Sequence, residues 1–241
     1  MTDKIKELQE IIDNAKQIVF FTGAGVSTDS GIPDFRSQDG LYYTKYDYPP
    51  ESIIEIGFFN DNPQEFYRFY KDKMMYLDAK PNYTHKFIAK LEQQHKSLGV
   101  ITQNIDGLHQ AAGSKHVYEL HGSIHRNYCT RCGKFFDAKY VKEADGVPRC
   151  DACGGLIKPD VVLYGEGLSS EVLRGAVAAI QSADTMIILG TSLVVYPAAG
   201  LVRYFGGKNL VLINKSTTPY DSSADLLIQD TFNNVLPKIK L

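Results

Sequence analysis

The fold of the chain is decided at residues 18–37, which read IVFFTGAGVSTDSGIPDFRS. The first four residues form an apolar run of strand length, and polar residues follow from Thr22 onward. Glycines directly after a strand let backbone N–H groups approach a phosphate closely, so Gly23 and Gly25 predict a nucleotide site. A simple turn explains the same two glycines, and the pair alone gives both explanations equal weight.

Further apolar segments of strand length recur along the chain, and each leads directly into polar residues. They cover residues 99–101, 117–120, 161–164, 186–189 and 210–213. Helical spacing between several of them, as in residues 83–94 and 171–181, predicts an α/β fold with a parallel sheet covered by helices on both faces. Because ligands bind beyond the carboxyl ends of such strands, the polar residues that follow the strands should share one site.

Two regions interrupt this alternation. Residues 38–80 predict an aromatic loop followed by a helical insertion. Residues 124–156 hold every cysteine, spaced as Cys129-x-x-Cys132 and Cys150-x-x-Cys153. This spacing is typical of a zinc ribbon, and we favour zinc over two disulfides or four free thiols because no secretion signal is present. Four thiolates leave no open position for water, so we expect one structural Zn²⁺ ion.

The composition argues against several functional classes. The chain has 26 Lys and Arg against 28 Asp and Glu, a formal net charge of −2, and no polybasic run, so direct nucleic-acid binding is not expected. Its apolar runs are too short to span a bilayer, and the N-terminus does not resemble a signal peptide. We therefore expect a cytoplasmic protein without a membrane partner. A length of 241 residues fits one large domain with a small module, and a monomer is compatible with it.

The glycine loop departs from the fingerprint of hydride-transfer dehydrogenases. Thr28 stands where the third glycine of the G-x-G-x-x-G pattern belongs. No acidic residue follows a second strand at the distance expected of a ribose ligand. Hydride transfer is therefore poorly supported.

Three polar side chains at predicted strand ends are candidates for chemistry. Asn104 and Asp106 could hold a carboxamide such as that of nicotinamide, although an Asx turn that caps the next helix explains them equally well. A neutral imidazole near physiological pH can accept a proton from a sugar hydroxyl, which favours His121 as a general base. The other histidines lack such a context and are interpreted as surface or packing residues: His85, His95, His109, His116 and His125.

These motifs occur in the order found in sirtuins. They are GAGVS at 23–27, GIPDFRS at 31–37, TQNID at 102–106, HG at 121–122, GTSL at 190–193 and Asn214, with the four cysteines after His121. Over nearly its full length the chain resembles a bacterial sirtuin, an NAD-dependent protein lysine deacylase. The resemblance implies a Rossmann-like NAD-binding domain, made of residues 1–37, 81–123 and 157–241. It also implies a small domain, made of the helical insertion at 38–80 and the zinc ribbon at 124–156.

The resemblance assigns the site residues by position. The pyrophosphate and ribose of NAD would lie along Gly23, Ala24, Gly25, Thr28, Phe35, Arg36 and Gln103. The nicotinamide pocket would be formed by Asn104, Ile105 and Asp106. The adenosine half would lie against Gly190, Thr191, Ser192, Asn214 and Asp230. The substrate peptide would add as a strand along Val162, Gly165, Glu166 and Val194.

The implied reaction consumes NAD as a co-substrate. The acyl oxygen of the substrate lysine attacks C1′ of the nicotinamide ribose, nicotinamide leaves, and an alkylamidate forms. His121 then activates a ribose hydroxyl, and the products are free lysine, nicotinamide and O-acyl-ADP-ribose. Asn104 and His121 are thus the implied catalytic residues, and the resemblance also counts His121 among the residues that bind NAD. Phe35 and Ile105 would keep water out, and Leu41-Tyr42-Tyr43 would close as a lid.

The acyl preference depends on two positions in the helical insertion. Sirtuins that remove succinyl or malonyl groups carry a tyrosine and an arginine three residues apart, and the matching residues here are Tyr67 and Tyr70. Because tyrosine cannot replace a bidentate guanidinium, we expect a preference for uncharged acyl groups.

Two alternatives to deacylation stay open. One is a sirtuin-like protein mono-ADP-ribosyltransferase, and the other is a non-catalytic NAD-sensing or zinc-ribbon interaction protein. The presence of both Asn104 and His121 argues against each of them.

Overall fold

The computed structural model describes residues 3–35, 40–41 and 46–241. Arg36 and the pair Tyr42-Tyr43 lie outside these ranges, so the roles expected of them stay predictions. The strands are β1 Ile18–Thr22, β2 Ser97–Thr102, β3 Val117–Glu119, β4 Gly122–Cys129, β5 Phe135–Phe136, β6 Ile157–Val161, β7 Thr185–Leu189, β8 Asn209–Ile213 and β9 Leu226–Ile228. The α-helices are α1 Asp3–Asn14, α2 Pro50–Ile53, α3 Ile56–Asp61, α4 Pro63–Lys73, α5 Tyr83–Gln93, α6 Leu108–Ala111, α7 Ala138–Glu143, α8 Ser170–Ser182 and α9 Phe232–Val235. Short 3₁₀ helices occupy Ala24–Ser30, Ala198–Tyr204, Asp221–Ser223 and Leu236–Lys238.

Six strands form one parallel sheet in the order β3-β2-β1-β7-β8-β9. The two central strands, β1 and β7, are buried along their whole length, which is why they read as continuous apolar runs. The predicted parallel sheet is thereby confirmed. The sequence analysis did not predict β9, a short strand at the edge of the sheet.

Helices cover both faces of this sheet. On one face Phe20 packs in a buried cluster with Leu8 of α1 and Phe87 of α5. On the other face Phe21 packs in a cluster with Ile180 of α8 and Leu201 of a 3₁₀ helix. Successive strand residues point to opposite faces, so one strand supplies both clusters. Within the described ranges, none of the helices combines the length and apolar character that a membrane span needs.

Local signals set the ends of the helices that support the sheet edge. The Asn82 side chain accepts a hydrogen bond from His85 N at 3.4 Å, and His85 Nδ1 accepts one from Asn82 N at 3.3 Å. Together they form a capping box that begins α5. A different signal ends the 3₁₀ helix Ala24–Ser30. Gly31 follows it with a φ of +82°, a left-handed value that glycine adopts without strain.

The two insertions pack into one small unit, formed by α2–α4 and residues 122–163. Its antiparallel sheet has the strand order β5-β4-β6. Its core contains an aromatic cluster formed by Phe59, Phe66, Tyr67 and Tyr70. The rings of this cluster meet edge to face or stacked, at centroid separations from 4.9 to 6.1 Å. Two lysines also join the insertions: Lys71 Nζ donates to the carbonyl oxygens of Ala144 and Gly146, and Lys142 Nζ donates to that of Met75.

The strand expected at 161–164 differs from prediction. The structure has β6 at Ile157–Val161, paired antiparallel with β4 and outside the parallel sheet. Burial alternates along β6, as expected for a strand with one face on a core and one towards solvent. From this pairing we propose that the small unit extends to Leu163, beyond the domain boundary predicted after residue 156.

Candidate active site

The carboxyl ends of the six parallel strands meet at one edge of the sheet. The loops that follow them are joined by side-chain hydrogen bonds. Gln103 Nε2, after β2, donates to Thr191 Oγ1, after β7, at 2.8 Å. Asn214 Nδ2, after β8, donates to the carbonyl oxygen of Thr191 at 3.1 Å. The structure thus brings together residues that the sequence predicts to share a site.

Three glycines let the loops after β1 and β7 pack directly on each other. A Cβ atom at Gly25 would lie 2.9 Å from Gly190 Cα, and one at Gly190 would lie 2.6 Å from Val26 N. The amides of Gly23 and Gly25 already donate to the carbonyl oxygens of Leu189 and Gly190, at 3.1 and 2.9 Å. These glycines therefore allow close backbone approach, while their own N–H groups hold the two loops together.

Ser27 links the two candidate residues after β2. Asn104 Nδ2 donates to Ser27 Oγ at 3.1 Å, and Ser27 Oγ donates to Asp106 Oδ2 at 2.6 Å. Burial raises the pKa of the Asp106 carboxyl, and the Ser27 hydrogen bond opposes that rise. Ser27 is 1% exposed and was missed as a site residue; its signal was a hydroxyl inside the glycine-rich stretch.

The Asx turn that was weighed against a ligand-binding role is present. Asp106 Oδ1 accepts from Leu108 N at 2.9 Å, at the start of α6. The turn uses one carboxylate oxygen, and Ser27 contacts the other. Asn104 takes no part in the turn, because its side chain faces Ser27 from a buried position. The Asx turn therefore accounts for Asp106, and a ligand-binding role for Asn104 stays a prediction.

His121 is held in a defined tautomer. Its Nδ1 lies 3.1 Å from the carbonyl oxygen of Gln103. A carbonyl oxygen can only accept, so Nδ1 carries the proton and Nε2 is the basic nitrogen of the neutral ring. Burial lowers the pKa of His121, which keeps the ring neutral at physiological pH.

The backbone around His121 joins the two sheets. His121 lies between β3 of the parallel sheet and β4 of the small unit. The amide of Val162 donates to the His121 carbonyl oxygen at 3.0 Å. Gly122 has a φ of +75°, and a Cβ there would lie 1.9 Å from the carbonyl oxygen of Asp160. Only glycine fits this turn, so the turn fixes the direction in which the chain leaves His121.

The predicted nicotinamide-side residues contact the small unit. Phe35 and Ile105 are half-buried and pack against its core. Leu41 is buried, and its amide donates to the Asp34 carbonyl oxygen at 2.8 Å. The wall near Asn104 is thus built partly from the large sheet and partly from the small unit.

The residues expected along the peptide lie on two loops, one after β6 and one after β7. Val162 is half-buried, and Gly165 is exposed with a φ of +90°. The Glu166 carboxylate turns inward, where it accepts from Leu163 N and pairs with Lys158 Nζ, both at 2.9 Å. Val194 is 47% exposed on the loop after β7. Their contact with a peptide stays a prediction.

The remaining cofactor-side predictions lie at the same sheet edge. Ala24 and Thr28 are in the 3₁₀ helix after β1, where Thr28 Oγ1 donates to the Gly25 carbonyl oxygen at 3.0 Å. Ser192 follows Thr191 and is half-buried. Asp230 follows β9 and accepts from Asn234 Nδ2 at 2.8 Å, a hydrogen bond that lowers its pKa. Contact of these residues with NAD also stays a prediction.

The four cysteines form a structural zinc site. Their Sγ atoms all lie within 4.8 Å of one another. The separations from Cys129 to Cys153 and from Cys132 to Cys150 are 3.4 and 3.7 Å. Tetrahedral Zn–S bonds of about 2.3 Å place sulfur atoms about 3.8 Å apart, whereas a disulfide requires about 2.05 Å. The geometry therefore fits one Zn²⁺ ion and not two disulfides.

Comparison with known proteins agrees with this site. A sequence model of the Sir2 family matches residues 23–197. An NAD-dependent protein deacetylase of Clostridium acetobutylicum is 57% identical over 242 residues, and one of Clostridium perfringens is 58% identical over 242 residues. Each alignment covers 99% of this chain and 99% of the relative.

Solved structures give the same result. A Sir2 structure with deacetylated p53 peptide and 3′-O-acetyl-ADP-ribose matches with a TM-score of 0.90 and 44% identity, covering 97% of this chain and 96% of that chain. A Sir2 structure bound to a propionylated peptide matches with a TM-score of 0.82 and 43% identity, covering 95% and 93%. The chain belongs to the Sir2 family.

Proposed function

We propose that this chain is an NAD-dependent protein lysine deacetylase that transfers the acyl group to ADP-ribose and releases nicotinamide. The single observation that carries the mechanism is the hydrogen bond from His121 Nδ1 to the Gln103 carbonyl oxygen. It leaves Nε2 as a basic nitrogen at the sheet edge where Asn104 also lies. The relatives named NAD-dependent protein deacetylase and the Sir2 structures with acylated peptides support the same reaction.

His121 acts as the general base. Its Nε2 accepts the proton of a ribose hydroxyl, and the carbonyl oxygen of Gln103 stabilises the imidazolium that results. A protonated ring would have no free lone pair at Nε2, so the lowered pKa favours the reactive form.

Two hydrogen bonds link Asn104, Ser27 and Asp106 in series, and these side chains orient the nicotinamide part of NAD. NAD supplies the ribose carbon at which the bond to nicotinamide breaks. The linked polar groups offer both donors and acceptors to a carboxamide, and their mutual hydrogen bonds hold them in place before NAD binds. Phe35 and Ile105, which pack against the core of the small unit, cover this region and limit the access of water to the ribose carbon.

The acylated lysine enters between the loops that carry Gly165 and Val194. Gly165 is exposed, and recognition through an added strand depends on backbone groups more than on the target's side chains. Tolerance of many target sequences is the expected consequence.

Labelled NAD and an acetylated peptide test the proposal directly. We expect release of nicotinamide that requires the acetyl group, together with free lysine and O-acetyl-ADP-ribose. The same peptide without its acetyl group is the matched control. Label transferred to protein would favour the mono-ADP-ribosyltransferase. If nicotinamide is not released and no label is transferred, a binding protein would be favoured.

The helical insertion predicts the acyl preference. Tyr67 and Tyr70 are almost fully buried in the small unit, and the Tyr67 hydroxyl donates to the carbonyl oxygen of Ile157. The Tyr70 hydroxyl has no hydrogen-bond partner among the described residues. Neither side chain carries a positive charge, so neither can form the bidentate ion pair that an arginine offers to an acyl carboxylate.

We expect acetyl- and propionyl-lysine peptides to be processed at similar rates, and succinyl-lysine about 100-fold more slowly, because a buried unpaired charge costs about 3 kcal/mol or more. A panel of peptides that differ only in the acyl group measures kcat/KM for each. Succinyl removal at the acetyl rate would contradict the role of these two positions.

A further inference from the structure

Arg126 on β4 joins two carboxylates, one on β3 shortly before His121 and the other on the neighbouring strand β6. Its Nη1 donates to Glu119 Oε2 at 2.6 Å, and its Nε donates to Asp160 Oδ2 at 2.7 Å. Glu119 ends β3, two residues before His121. Asp160 lies on β6, two residues before Val162, whose amide holds the His121 carbonyl oxygen. One guanidinium therefore links the last residue of β3, in the parallel sheet, to the small unit.

The Glu119 half of this bridge is sheltered from water. The Glu119 side chain is 10% exposed, against 44% for Asp160. Its second oxygen, Oε1, accepts from Gln110 Nε2 at 2.8 Å, so both carboxylate oxygens are held. Exposed ion pairs contribute little to stability. A carboxylate that is sheltered from water and paired with a guanidinium group is instead held in a defined geometry.

His121 depends on the two parts that Arg126 joins. Its imidazole is anchored to Gln103 in the large sheet, whereas its carbonyl oxygen is anchored to Val162 in the small unit. A shift of one part against the other would pull these anchors apart. Such a shift would move Nε2 relative to the ribose hydroxyl, and a displacement of this kind lowers the rate of a positioned proton transfer.

We propose that Arg126 is a positioning residue for His121, acting by fixing the end of β3 against β6. The inference rests on the proposed function, in which His121 serves only the step after nicotinamide has left. Arg126 is not assigned to contact with NAD or with the peptide. Its loss should therefore affect the base-dependent step and spare the cleavage of NAD.

Two assays separate these steps. Exchange of labelled nicotinamide into NAD, in the presence of acetylated peptide, requires only cleavage and its reversal, whereas deacetylation requires both steps. For Arg126→Ala we expect kcat for deacetylation to fall about tenfold, with exchange and the KM for NAD within about twofold of the parent protein. For Arg126→Lys we expect a rate close to that of the alanine variant, because an ammonium group lacks the fork that joins both carboxylates.

Two further variants control for folding and for arginine loss in general. Arg68→Ala removes an arginine that also joins two carboxylates, Glu65 at 2.8 Å and Asp47 at 3.0 Å, but on α4, and it should leave both assays unchanged. Asp160→Asn keeps the Glu119–Arg126 pair and should show a smaller loss, again confined to deacetylation.

The outcomes that overturn the inference are distinct from failure of the proposed function. Parental deacetylation by Arg126→Ala, equal losses of exchange and deacetylation, or full restoration by lysine would each overturn the positioning role. If the unmodified protein catalysed neither exchange nor deacetylation, the proposed function itself would fall. A thermal denaturation curve for each variant shows whether a lost rate reflects lost folding.

Discussion

Replacing His121 with alanine is expected to lower the rate of deacetylation by about 10²–10⁴-fold, the usual contribution of a positioned general base. The variant loses the nitrogen that accepts the ribose proton, but it keeps the other residues assigned to NAD and the residues assigned to the peptide. Nicotinamide exchange should therefore persist while deacetylation nearly stops. Measuring both reactions in one protein preparation distinguishes a lost base from a lost binding site.

A matched histidine provides the control. His116 is exposed and pairs with Glu92 at 2.6 Å, away from the strand ends that carry the site, and His116→Ala should retain parental rates. Thermal denaturation of both variants tests whether the fold is intact. Unchanged deacetylation in His121→Ala would remove this residue from the role of base.

The pH dependence of the unmodified enzyme gives a second test of the same residue. Burial disfavours the charged imidazolium and lowers the pKa of His121 below its usual value of about 6.5. The base is therefore neutral at pH 7, and activity should decline only as the pH falls through that lowered value. An acidic limb of kcat/KM centred above pH 6.5 would contradict the buried, neutral ring.

Much of the site could be predicted because its signals are local in sequence. Gly23, Asn104, His121 and Asn214 each follow a short apolar run, and parallel strands bring such positions to one edge by topology alone. The zinc ligands could also be predicted from the sequence, since two Cys-x-x-Cys pairs at this spacing are typical of a zinc site. The resemblance to sirtuins added roles to these positions, and NAD contact at each of them stays a prediction.

Other features depend on contacts between distant segments, and a local sequence pattern cannot show which residues such contacts join. Ser27 joins Asn104 to Asp106 only because the loops after β1 and β2 meet in space. His109 and His85 are buried with their rings 4.8 Å apart, so packing is the correct description for both and surface exposure is not.

The sequence also misplaced β6, for a physical reason. An apolar run at 161–164 resembles a buried parallel strand, but the preceding residues alternate between buried and half-buried positions. That alternation marks a strand with one face on a core, and here the core is that of the small unit. A strand of the small unit therefore lies next to His121, which explains how the insertions reach the site.

Removing the zinc ion is expected to abolish deacetylation although the metal takes no part in the reaction. Cys129 and Cys150 are buried in the core of the small unit together with the aromatic cluster. Phe35 and Ile105 pack against that core. Structural zinc contributes about 10 kcal/mol or more to the folding of small metal sites, so its loss should unfold the ribbon and loosen this wall. We expect deacetylation to fall by about 100-fold or more, because small displacements at a reacting centre have effects of that size.

Two ways of removing the zinc ion check this expectation. Cys150→Ser, or treatment of the unmodified protein with a chelator, is followed by metal quantification, circular dichroism and the deacetylation assay. The chelated protein should regain activity when Zn²⁺ is restored, whereas the serine variant should not. Lys134→Ala, which removes an exposed partner of Asp151 in the same ribbon, should keep its metal and its rate. Full activity in a preparation shown to be free of zinc would mean that the cleft is held by the helical insertion alone, and that the ribbon does not support the wall formed by Phe35 and Ile105.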